Sequence, residues 1–278
     1  EAIGQEIDLL LENISRLAET AEHAATTALS DALVSHGELM SSLLFVEVLR
    51  ERDVDTEWFD ARKVIRTNDT FGCAEPQIAD TAELAEKQLR PRIEQALIIT
   101  QGFIGSTATG QTTTLGRGGS DYSASLFGEA LHAARVDIWT DVAGIYTTDP
   151  RIVPQAQRMD RVSFSEASEM AAYGAKVLHP ATMLPAMRKD IPVFVGSSKN
   201  PSAGGTLVCR HAENPPRYRA LAIRRKQTLL KLHSLNTQPA CAFLAEMFAV
   251  LSRHNALIDL VTTSETSIAL ILNSSCAT

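Results

Sequence analysis

The sequence predicts an α/β fold with a mainly parallel sheet between helices, followed by a smaller α+β module. Apolar runs of strand length alternate with helical patterns over most of the chain, as in proteins built from strand–helix–strand units. The run "QALIITQGFIG" (95–105) is continuously apolar and ends in glycines, which is typical of a strand buried in a parallel sheet. The C-terminal part has the order strand, helix, strand, strand, which is that of a ferredoxin-like module short of its last helix and strand.

Helices dominate the start of the chain, where apolar residues recur at helical spacing to about residue 50. "TEWFDARKVIRTND" then predicts a short strand and a loop, and "AELAEKQLRPRI" predicts another helix. The run at 95–105, a helical pattern over 122–134 and the buried strand "VDIWTD" follow in order. We expect these three elements to form one βαβ unit.

The remaining elements divide into two groups. "FSEASEMAAYGAKVLHPATMLPAMRKD" predicts more helix and "IPVFVGSS" predicts one more strand. A segment rich in Pro, Gly and charged residues, about 200–219, marks a candidate boundary. We therefore expect one domain over residues 1–213 and a second over 214–278. The second contains the predicted strands "QTLLKLHSL", "LIDLVTTSE" and "TSIALILN" and the helix "AFLAEMFAVLSRHN".

Composition limits the classes of function. With 26 basic and 33 acidic residues the net charge is -7, which repels phosphodiester backbones and argues against nucleic-acid binding. The four cysteines form no C-x-x-C pair, so we expect no zinc site, no disulfide framework and a reducing cytoplasm. No signal peptide or apolar run of about 18 residues is apparent, so no membrane partner is expected. The chain opens without Met inside a helical pattern, which suggests a fragment.

The stretch "TTTLGRGGSD" (112–121) lies where the predicted strand gives way to a helix. Glycines tolerate positive φ and close approach, so this junction can turn backbone N–H groups toward a phosphate at the helix N-terminus. The alternative is an ordinary connecting turn with Ser120 or Asp121 as the N-cap residue. The spacing matches neither a Walker A loop nor a Rossmann fingerprint.

A second polar stretch, "TDVAGIYTTDPR" (140–151), directly follows a predicted buried strand. It offers hydroxyl and carboxylate groups, a tyrosine able to lie against a base, and an arginine able to bind phosphate bidentately. The alternative is that Asp149 and Pro150 form only a turn and that Tyr146 is a rim aromatic. Because open α/β sheets bind ligands at the carboxyl ends of their strands, the two stretches together favour a ligand site.

Two further charged residues are candidates. Lys176 in "GAKVLHP" is flanked by small residues near a helix start, where it could neutralise a transferring phosphoryl group. Glu38 in "SHGELM" follows Gly37 on a helix and is followed at once by apolar residues. The alternatives are a solvated lysine and a surface glutamate.

Taken together, these stretches resemble aspartate kinase of the amino acid kinase superfamily. "VSHGE", "TTTLGRGGSD", "WTDVAGIYTTDPR", "GAKVLHP" and "IPVFVGSS" match the family in order over about residues 30–210. The resemblance implies the amino acid kinase fold and ATP-dependent phosphorylation, with Mg²⁺, of the β-carboxylate of L-aspartate. That reaction is the first step toward lysine, threonine and methionine.

The resemblance also implies roles for individual residues. Arg117 would hold a carboxylate of aspartate and Glu38 its ammonium, with Phe103 in the same pocket. Asp121 would orient the cationic groups around the phosphoryl centre, and Lys176 would stabilise charge during transfer. The residues implied at ATP are Gly118, Gly119, Thr140, Asp141, Tyr146, Arg151, Lys176 and Val177. The β-carboxylate is ionised at pH 7, so positioning and charge neutralisation should carry catalysis without a general base.

One family motif is missing from the sequence. The family opens with a strand and loop, "KFGGTS", whose lysine and glycines hold the phosphates, and no such stretch occurs here. We therefore expect the chain, as given, to lack the first strand of the sheet and a catalytic lysine, and to be inactive by itself.

The C-terminal pieces "LHSLN", "FLAEMF" and "DLVTTSE" resemble part of the ACT regulatory module of lysine-sensitive aspartate kinases. This implies L-lysine as effector, and a homodimer or higher homo-oligomer at full length. The effector residues implied are Phe243, Leu244, Asp259, Ser264 and Glu265. Ala242 and Leu257 depart from the usual pattern. The alternatives are a non-catalytic subunit that senses an amino acid, and another amino acid kinase.

Overall fold

The computed structural model describes residues 2–174, 178, 180–212, 218–223, 225, 227–233, 240–254, 256, 258–264 and 267–272. The chain forms two compact units, Glu1–Ala222 and Ile223–Thr278. Lys176, Val177 and Glu265 lie outside the described residues, as does the side chain of Asp259. The boundary predicted at residue 213 also falls outside them and stays a prediction.

The first unit alternates helices and strands. Its helices are α1 (Ala2–His23), α2 (Thr27–Arg50), α3 (Ile78–Leu84), α4 (Arg90–Ile93), α5 (Gly119–Ala130), α6 (Phe164–Ala172) and α7 (Pro180–Arg188). Its strands are β1 (Thr56–Phe59), β2 (Leu97–Thr100), β3 (Ile104–Ser106), β4 (Thr112–Thr114), β5 (Val136–Thr140), β6 (Arg161–Ser163), β7 (Val193–Ser197) and β8 (Gly205–Cys209). A 3₁₀ turn covers Ala61–Lys63, and a π-helical segment, Ala85–Leu89, joins α3 to α4.

The predicted α/β class is confirmed, with sheets that are mixed. The largest sheet has the order β5-β7-β8-β6, in which β5 and β7 are parallel, β6 and β8 are parallel, and β7 and β8 are antiparallel. β1 and β2 form a parallel pair, and β3 and β4 form an antiparallel hairpin. β8 lies inside the segment whose composition suggested a boundary.

The prediction of a single buried strand over 95–105 is wrong. The run is divided into β2 and β3 at Phe103, whose φ of 70° no extended strand can contain. Leu97, the first residue of β2, is 51% exposed. The predicted βαβ unit is also interrupted, because the β3–β4 hairpin lies between β2 and α5 in the chain. Among the described residues β2 pairs with β1, and β5 pairs with β7.

Two apolar clusters of the first unit matter for the site. One packs α6 and α7 against the four-stranded sheet and is centred on Val193, Val195 and Val208. The other joins α2 to α5 beneath the β3–β4 hairpin through Leu39, Ile65, Ile104, Leu115 and Leu126, which are at most 5% exposed. Because this second cluster lies under the hairpin, it fixes α2 and α5 relative to the loop between β4 and α5.

A polar contact also holds α2 against the sheet. The Ser42 hydroxyl on α2 accepts from Trp58 Nε1 at 2.9 Å and from Gln101 Nε2 at 2.8 Å. Gln101 Oε1 in turn accepts from the Ala61 backbone N–H at 2.9 Å. One buried hydroxyl thus joins a helix, a strand and a turn, and the polar groups it holds are satisfied in the core.

By length and composition, α2 is long and apolar enough to cross a membrane. No membrane-spanning element was expected from the sequence. The helix packs against α1, β1 and β4. Its buried face includes the polar residues Asp31, Ser35, His36 and Ser42. Core helices can pass the same test, so this result is weak evidence for a membrane span.

The second unit has the predicted βαββ order, with β9 (Thr228–His233), α8 (Ala240–Arg253), β10 (Ile258–Thr263) and β11 (Ser267–Leu272). Its sheet order is β10-β11-β9, with both pairs antiparallel. Phe243 and Leu244 are half-buried against a cluster formed by Met247, Ile268 and Leu270. Ser264 closes the turn between β10 and β11, donating its N–H to Ser267 O at 2.8 Å.

Candidate functional site

A cavity of about 370 Å³ lies where α2, the start of β3 and the N-terminus of α5 meet. It is lined by Glu38, Phe103, Gly116, Gly118, Gly119, Ser120 and Asp121. Five of these residues were predicted from the sequence as binding or catalytic residues, and they come from three segments far apart in the chain. We call this cavity the glycine-loop pocket.

The glycine loop of this pocket is also the start of α5. Gly118 has φ of 74° and is the N-cap residue, so the alternative in which Ser120 or Asp121 caps the helix is wrong. A Cβ at Gly119 would lie 2.7 Å from the Phe103 ring, too close for any other residue without displacement. The N–H groups of Ser120 and Asp121, in the first turn, have no acceptor among the described residues. They are therefore available to an anion.

Phe103 is held in a left-handed conformation that bulky residues rarely adopt. Its N–H donates to Ser123 Oγ at 2.8 Å, and its carbonyl accepts from the Leu115 N–H at 2.9 Å. Ser123 Oγ in turn donates to Gly119 O at 2.9 Å. The backbone strain at Phe103 is thus maintained by the same helix start that lines the pocket, as is common at binding sites.

The charged groups in the pocket and on the loop beside it form no ion pair with one another. Burial raises the pKa of Asp121, which is half-buried. Glu38 is half-buried on α2. Arg117 lies in the loop between Gly116 and Gly118, is exposed, and is not among the residues that line the pocket. Two carboxylates in the pocket, with one guanidinium on the loop beside it, are suited to a small zwitterion and to a cation near Asp121.

Asp31 supports the pocket and was not identified from the sequence. It is 2% exposed on α2, and its Oδ2 accepts from the N–H groups of Gly72 at 2.9 Å and Thr114 at 2.8 Å. Its Oδ1 accepts from Thr114 Oγ1 at 2.9 Å. Glu38 lies seven residues further along, on the same face of the helix about 10 Å away. An acidic residue inside an apolar helical pattern was the available signal.

The residues predicted at ATP are divided between two places. Gly118 and Gly119 line the glycine-loop pocket. Thr140, Asp141, Tyr146 and Arg151 lie in the segment that starts at the C-terminal end of β5, and they are not among the lining residues of that pocket. The Thr140 carbonyl accepts from the backbone N–H of Ser198 at 2.8 Å and from its hydroxyl at 3.1 Å. The Thr140 hydroxyl donates to Asp141 Oδ1 at 3.2 Å. Tyr146 pairs with Arg158, so the segment after β5 folds back on itself as an irregular hairpin. Lys176 and Val177 lie outside the described residues.

Arg151, predicted to bind phosphate, is ion-paired within its own turn. Its Nε and Nη2 lie 3.1 Å from the two carboxylate oxygens of Asp149, while its side chain is 80% exposed. Sequence reasoning treated Asp149 only as a turn residue. The pair preserves the guanidinium orientation, and an incoming phosphate would have to compete with one carboxylate for it.

Thr206 fixes the base of this hairpin to β8. The side chain is fully buried, and Oγ1 accepts from Ile145 N at 2.8 Å and donates to Met159 O at 2.7 Å. Gly144, with φ of 126°, passes so close that a Cβ there would lie 2.5 Å from the same oxygen. The hairpin and β8, an inner strand of the sheet, are therefore joined through one hydroxyl.

We expect Thr206→Val to lower the free energy of unfolding by about 2 kcal/mol, because a buried N–H and a buried carbonyl lose their partner while the shape is kept. Thr206→Ser keeps the hydroxyl and should lose only about 1 kcal/mol, for the missing methyl group. Urea denaturation of both variants measures the difference. Equal losses in the two variants would mean that packing, and not the hydrogen bonds, holds the hairpin.

Among the described residues no group of three or more His, Cys, Asp or Glu side chains is placed to hold a metal ion. A Mg²⁺ ion would not need such a group, because it usually keeps its waters and takes only one or two protein carboxylates beside the phosphates. Asp121 is the described carboxylate of the glycine-loop pocket best suited to that contact, since a cation would offset the cost of its burial.

Comparison with known proteins gives a consistent family. Residues 3–197 match the amino acid kinase family. The chain is 67% identical over 276 residues to lysine-sensitive aspartokinase 3 of Escherichia coli K12, covering 99% of this chain and 62% of that protein. It is 39% identical over 244 residues to an aspartokinase of Chlamydia pneumoniae, covering 86% and 54% of the two chains. The chain thus spans less than two thirds of these relatives.

Solved structures agree with this assignment. The crystal structure of E. coli aspartokinase III with aspartate and ADP matches with a TM-score of 0.88 over 99% of this chain and 62% of that one. The structure of the same enzyme with lysine and aspartate matches with a TM-score of 0.87 over 100% and 62%. Both are 67% identical in sequence to this chain.

Proposed function

Because the chain belongs to the amino acid kinase family, we propose that it carries most of the machinery of an aspartate kinase, which phosphorylates the β-carboxylate of L-aspartate with ATP. The observation that carries the proposal is the glycine-loop pocket, in which Glu38, Phe103 and Asp121 meet the N-terminus of α5. The 67% identity to an E. coli lysine-sensitive aspartokinase, whose structure holds aspartate and ADP, supports the choice of substrates.

The charges of the pocket and of the loop beside it match those of aspartate. Glu38 accepts from the α-ammonium, and Arg117 donates to a carboxylate, so the amino acid is held at two ends. Phe103, fixed by its backbone contacts to Ser123 and Leu115, limits the length of side chain that fits between them. The free N–H groups at the start of α5 stabilise negative charge near the reacting carboxylate.

Phosphoryl transfer here needs no general base. An oxygen of the ionised β-carboxylate attacks the γ-phosphorus of ATP, the bond from that phosphorus to the β,γ-bridging oxygen breaks, and ADP leaves with the electron pair. Lys176 neutralises the transferring group, and Asp121 orients the cations around it. Mg²⁺, when bound, neutralises the phosphate oxygens that these side chains do not reach.

The nucleotide occupies the C-terminal end of β5 and the hairpin that follows it. Thr140 and Asp141 bind the sugar or phosphates, Tyr146 lies against the base, and Arg151 exchanges Asp149 for phosphate. Val177 is also proposed to contact the nucleotide, and Gly118 and Gly119 let the phosphates approach the start of α5. The alignment of β5 with β7, with Ser198 bound to Thr140, supports a rigid edge for this site.

We also propose that L-lysine regulates the whole protein through the second unit. The relative that is 67% identical is lysine-sensitive, and one of its structures contains lysine. Phe243, Leu244, Asp259, Ser264 and Glu265 are the residues proposed to bind the effector. A homo-oligomer, a cytoplasmic location and the absence of nucleic-acid and membrane partners remain predictions.

The test is aspartate-dependent formation of ADP and of a hydroxylamine-trapped aspartyl phosphate. We expect a chain extended upstream through a KFGGTS-type segment to turn over aspartate but not glutamate, and to be inhibited by lysine. The 278-residue chain is measured beside it. Phosphorylation of glutamate in place of aspartate would overturn the substrate assignment, and lysine binding without any nucleotide binding would favour a sensing subunit.

The affinity for aspartate tests the role proposed for Arg117 separately from catalysis. We expect Arg117→Ala to weaken aspartate binding roughly 10- to 100-fold, because a charge-assisted hydrogen bond to a carboxylate is lost. Arg117→Lys keeps the charge and should recover part of the affinity. Calorimetric titration of both variants with aspartate measures this, and an unchanged affinity in Arg117→Ala would remove Arg117 from the substrate site.

A further inference from the structure

A second cavity, of about 490 Å³, lies at the opposite end of the β3–β4 hairpin from the glycine-loop pocket. Its lining includes Asp60, Arg62, Lys63, Arg66, Ser106 and Gly110. We call it the hairpin-tip pocket. With three cations and one carboxylate, the charged lining residues sum to about +2, in a chain whose net charge is -7. Such a local excess of positive charge attracts anions.

The cations of this pocket differ in how they are neutralised. Arg62 is ion-paired with Asp60, at 2.7 Å between Nη2 and Oδ2, and also donates to Thr112 Oγ1 at 3.1 Å. Arg66 is half-buried, and its Nη1 donates to Ser106 Oγ at 2.9 Å and to the Thr107 carbonyl. Both acceptors of Arg66 are neutral, and no carboxylate among the described residues pairs with it.

Arg66 is therefore a fixed guanidinium whose charge is not compensated within the described chain. Its backbone is also held, because its N–H donates to Thr81 Oγ1 at 3.1 Å and its carbonyl accepts from Gln77 N at 2.8 Å. Lys63, at the end of the adjacent 3₁₀ turn, is exposed and makes no ion pair with a described residue. A preorganised arginine and a free lysine at one cavity have the chemistry of an oxyanion site.

We propose that the hairpin-tip pocket binds a small multivalent oxyanion, of the phosphate or polycarboxylate type. Its volume falls in the range of ordinary small-molecule sites. None of the described residues that line it is aromatic, so they offer no surface on which a nucleobase would stack. The ligand is recognised through its charge, by Arg66 and Lys63.

The residues of this pocket also contact the β3–β4 hairpin, so the binding of an anion there can affect the position of the hairpin. Arg62 and Arg66 hold Thr112, Ser106 and Thr107, which are the residues next to the hairpin tip. The same hairpin ends about 10 Å away at Phe103 and Leu115, beside the glycine-loop pocket. Binding at the tip is independent of the proposed kinase activity and is tested without it.

The test is calorimetric titration of the chain with inorganic phosphate and, separately, with citrate, each against sodium chloride at the same ionic strength. We expect one site per chain for at least one of the two anions, and the tighter one identifies the ligand type. Lys63→Ala should weaken that binding about 10-fold, and Lys63→Glu should weaken it at least 100-fold. Lys63 is exposed, so neither variant should disturb folding.

Two control variants identify where the anion binds. Lys189→Ala removes another exposed lysine of the same unit and should leave the affinity unchanged. Arg117→Ala, on the loop beside the glycine-loop pocket, should also leave the affinity for the anion unchanged. The proposal is overturned if neither anion binds better than chloride, if the two lysine-to-alanine variants lose affinity equally, or if Arg117→Ala alone abolishes binding.

Discussion

Asp121→Asn is expected to reduce the rate of aspartyl phosphate formation by about 100- to 1,000-fold while making the folded protein more stable at neutral pH. The rate falls because the residue no longer carries the negative charge that orients cations at the phosphoryl centre. Stability rises because burial raises the pKa of Asp121, which means that the folded state disfavours its charged form. The two effects have opposite signs, so misfolding cannot explain the loss of activity.

The pH dependence of this gain has a definite sign. The folded pKa lies above the unfolded value, so the cost of holding Asp121 ionised is fully present above the folded pKa. It disappears as the pH falls below the unfolded value of about 3.9. The stability difference between Asp121→Asn and the unmodified protein should therefore shrink steadily on acidification, as measured by thermal denaturation between neutral and acidic pH.

A matched control for this substitution is Asp80→Asn. Asp80 is the third residue of α3, as Asp121 is the third residue of α5, but it is exposed. Both carboxylates interact favourably with the helix N-terminus, and only Asp121 bears a desolvation cost. Asp80→Asn should leave activity unchanged and slightly lower the stability. If Asp121→Asn also lowered the stability at neutral pH, the burial of Asp121 would not be the dominant influence of this residue on the free energy of unfolding.

Asp31→Ala is expected to lower the free energy of unfolding by about 3–4 kcal/mol and to raise the KM for aspartate about 10-fold. The stability loss follows because two backbone N–H groups and one hydroxyl lose their acceptor, and Thr114 is only 2% exposed. The KM rises because Asp31 joins α2 to β4, and so sets the position of Glu38 relative to the glycine loop. Asp31 is a positioning residue and does not contact substrate.

Asp31→Asn separates positioning from bulk stability. An asparagine can keep its oxygen on the two N–H groups and donate its amide to Thr114 Oγ1, so most of the native KM should be retained. Asp8→Ala, an exposed substitution on α1, is the control and should change neither quantity. Denaturant titration and steady-state kinetics on the upstream-extended chain give the two readouts. A native KM in a folded Asp31→Ala protein would rule out the positioning role.

Much of the fold was predictable because local patterns and tertiary packing agree. In the second unit each predicted element was found, since alternating strands and one amphipathic helix need only one apolar cluster. The division of 95–105 was not predictable, because it depends on a left-handed Phe103 that only the contacts to Ser123 and Leu115 maintain. An apolar run gives no sign of a conformation imposed by residues 12 and 20 positions away.

The candidate site shows the same contrast. A glycine-rich turn is a strong sequence signal for positive φ, and Gly116 and Gly118 do adopt positive φ. Asp31 and Thr206 were missed because their importance comes from partners 83 and 61 residues away in the chain. The pairing of Arg151 with Asp149 was missed for another reason, since both residues were assigned separate roles in the same turn.

The shared hydroxyl of Ser42 also has a spectroscopic consequence. The sequence contains two tryptophans, and their surroundings differ: Trp58 is half-buried and donates to Ser42 on α2, whereas Trp139 is 47% exposed on β5. Their fluorescence should therefore separate, with Trp58 emitting at shorter wavelength and Trp139 quenched first by iodide. Because Trp58 contacts the helix that carries Glu38, its emission is an intrinsic, label-free signal of helix displacement when an amino acid binds.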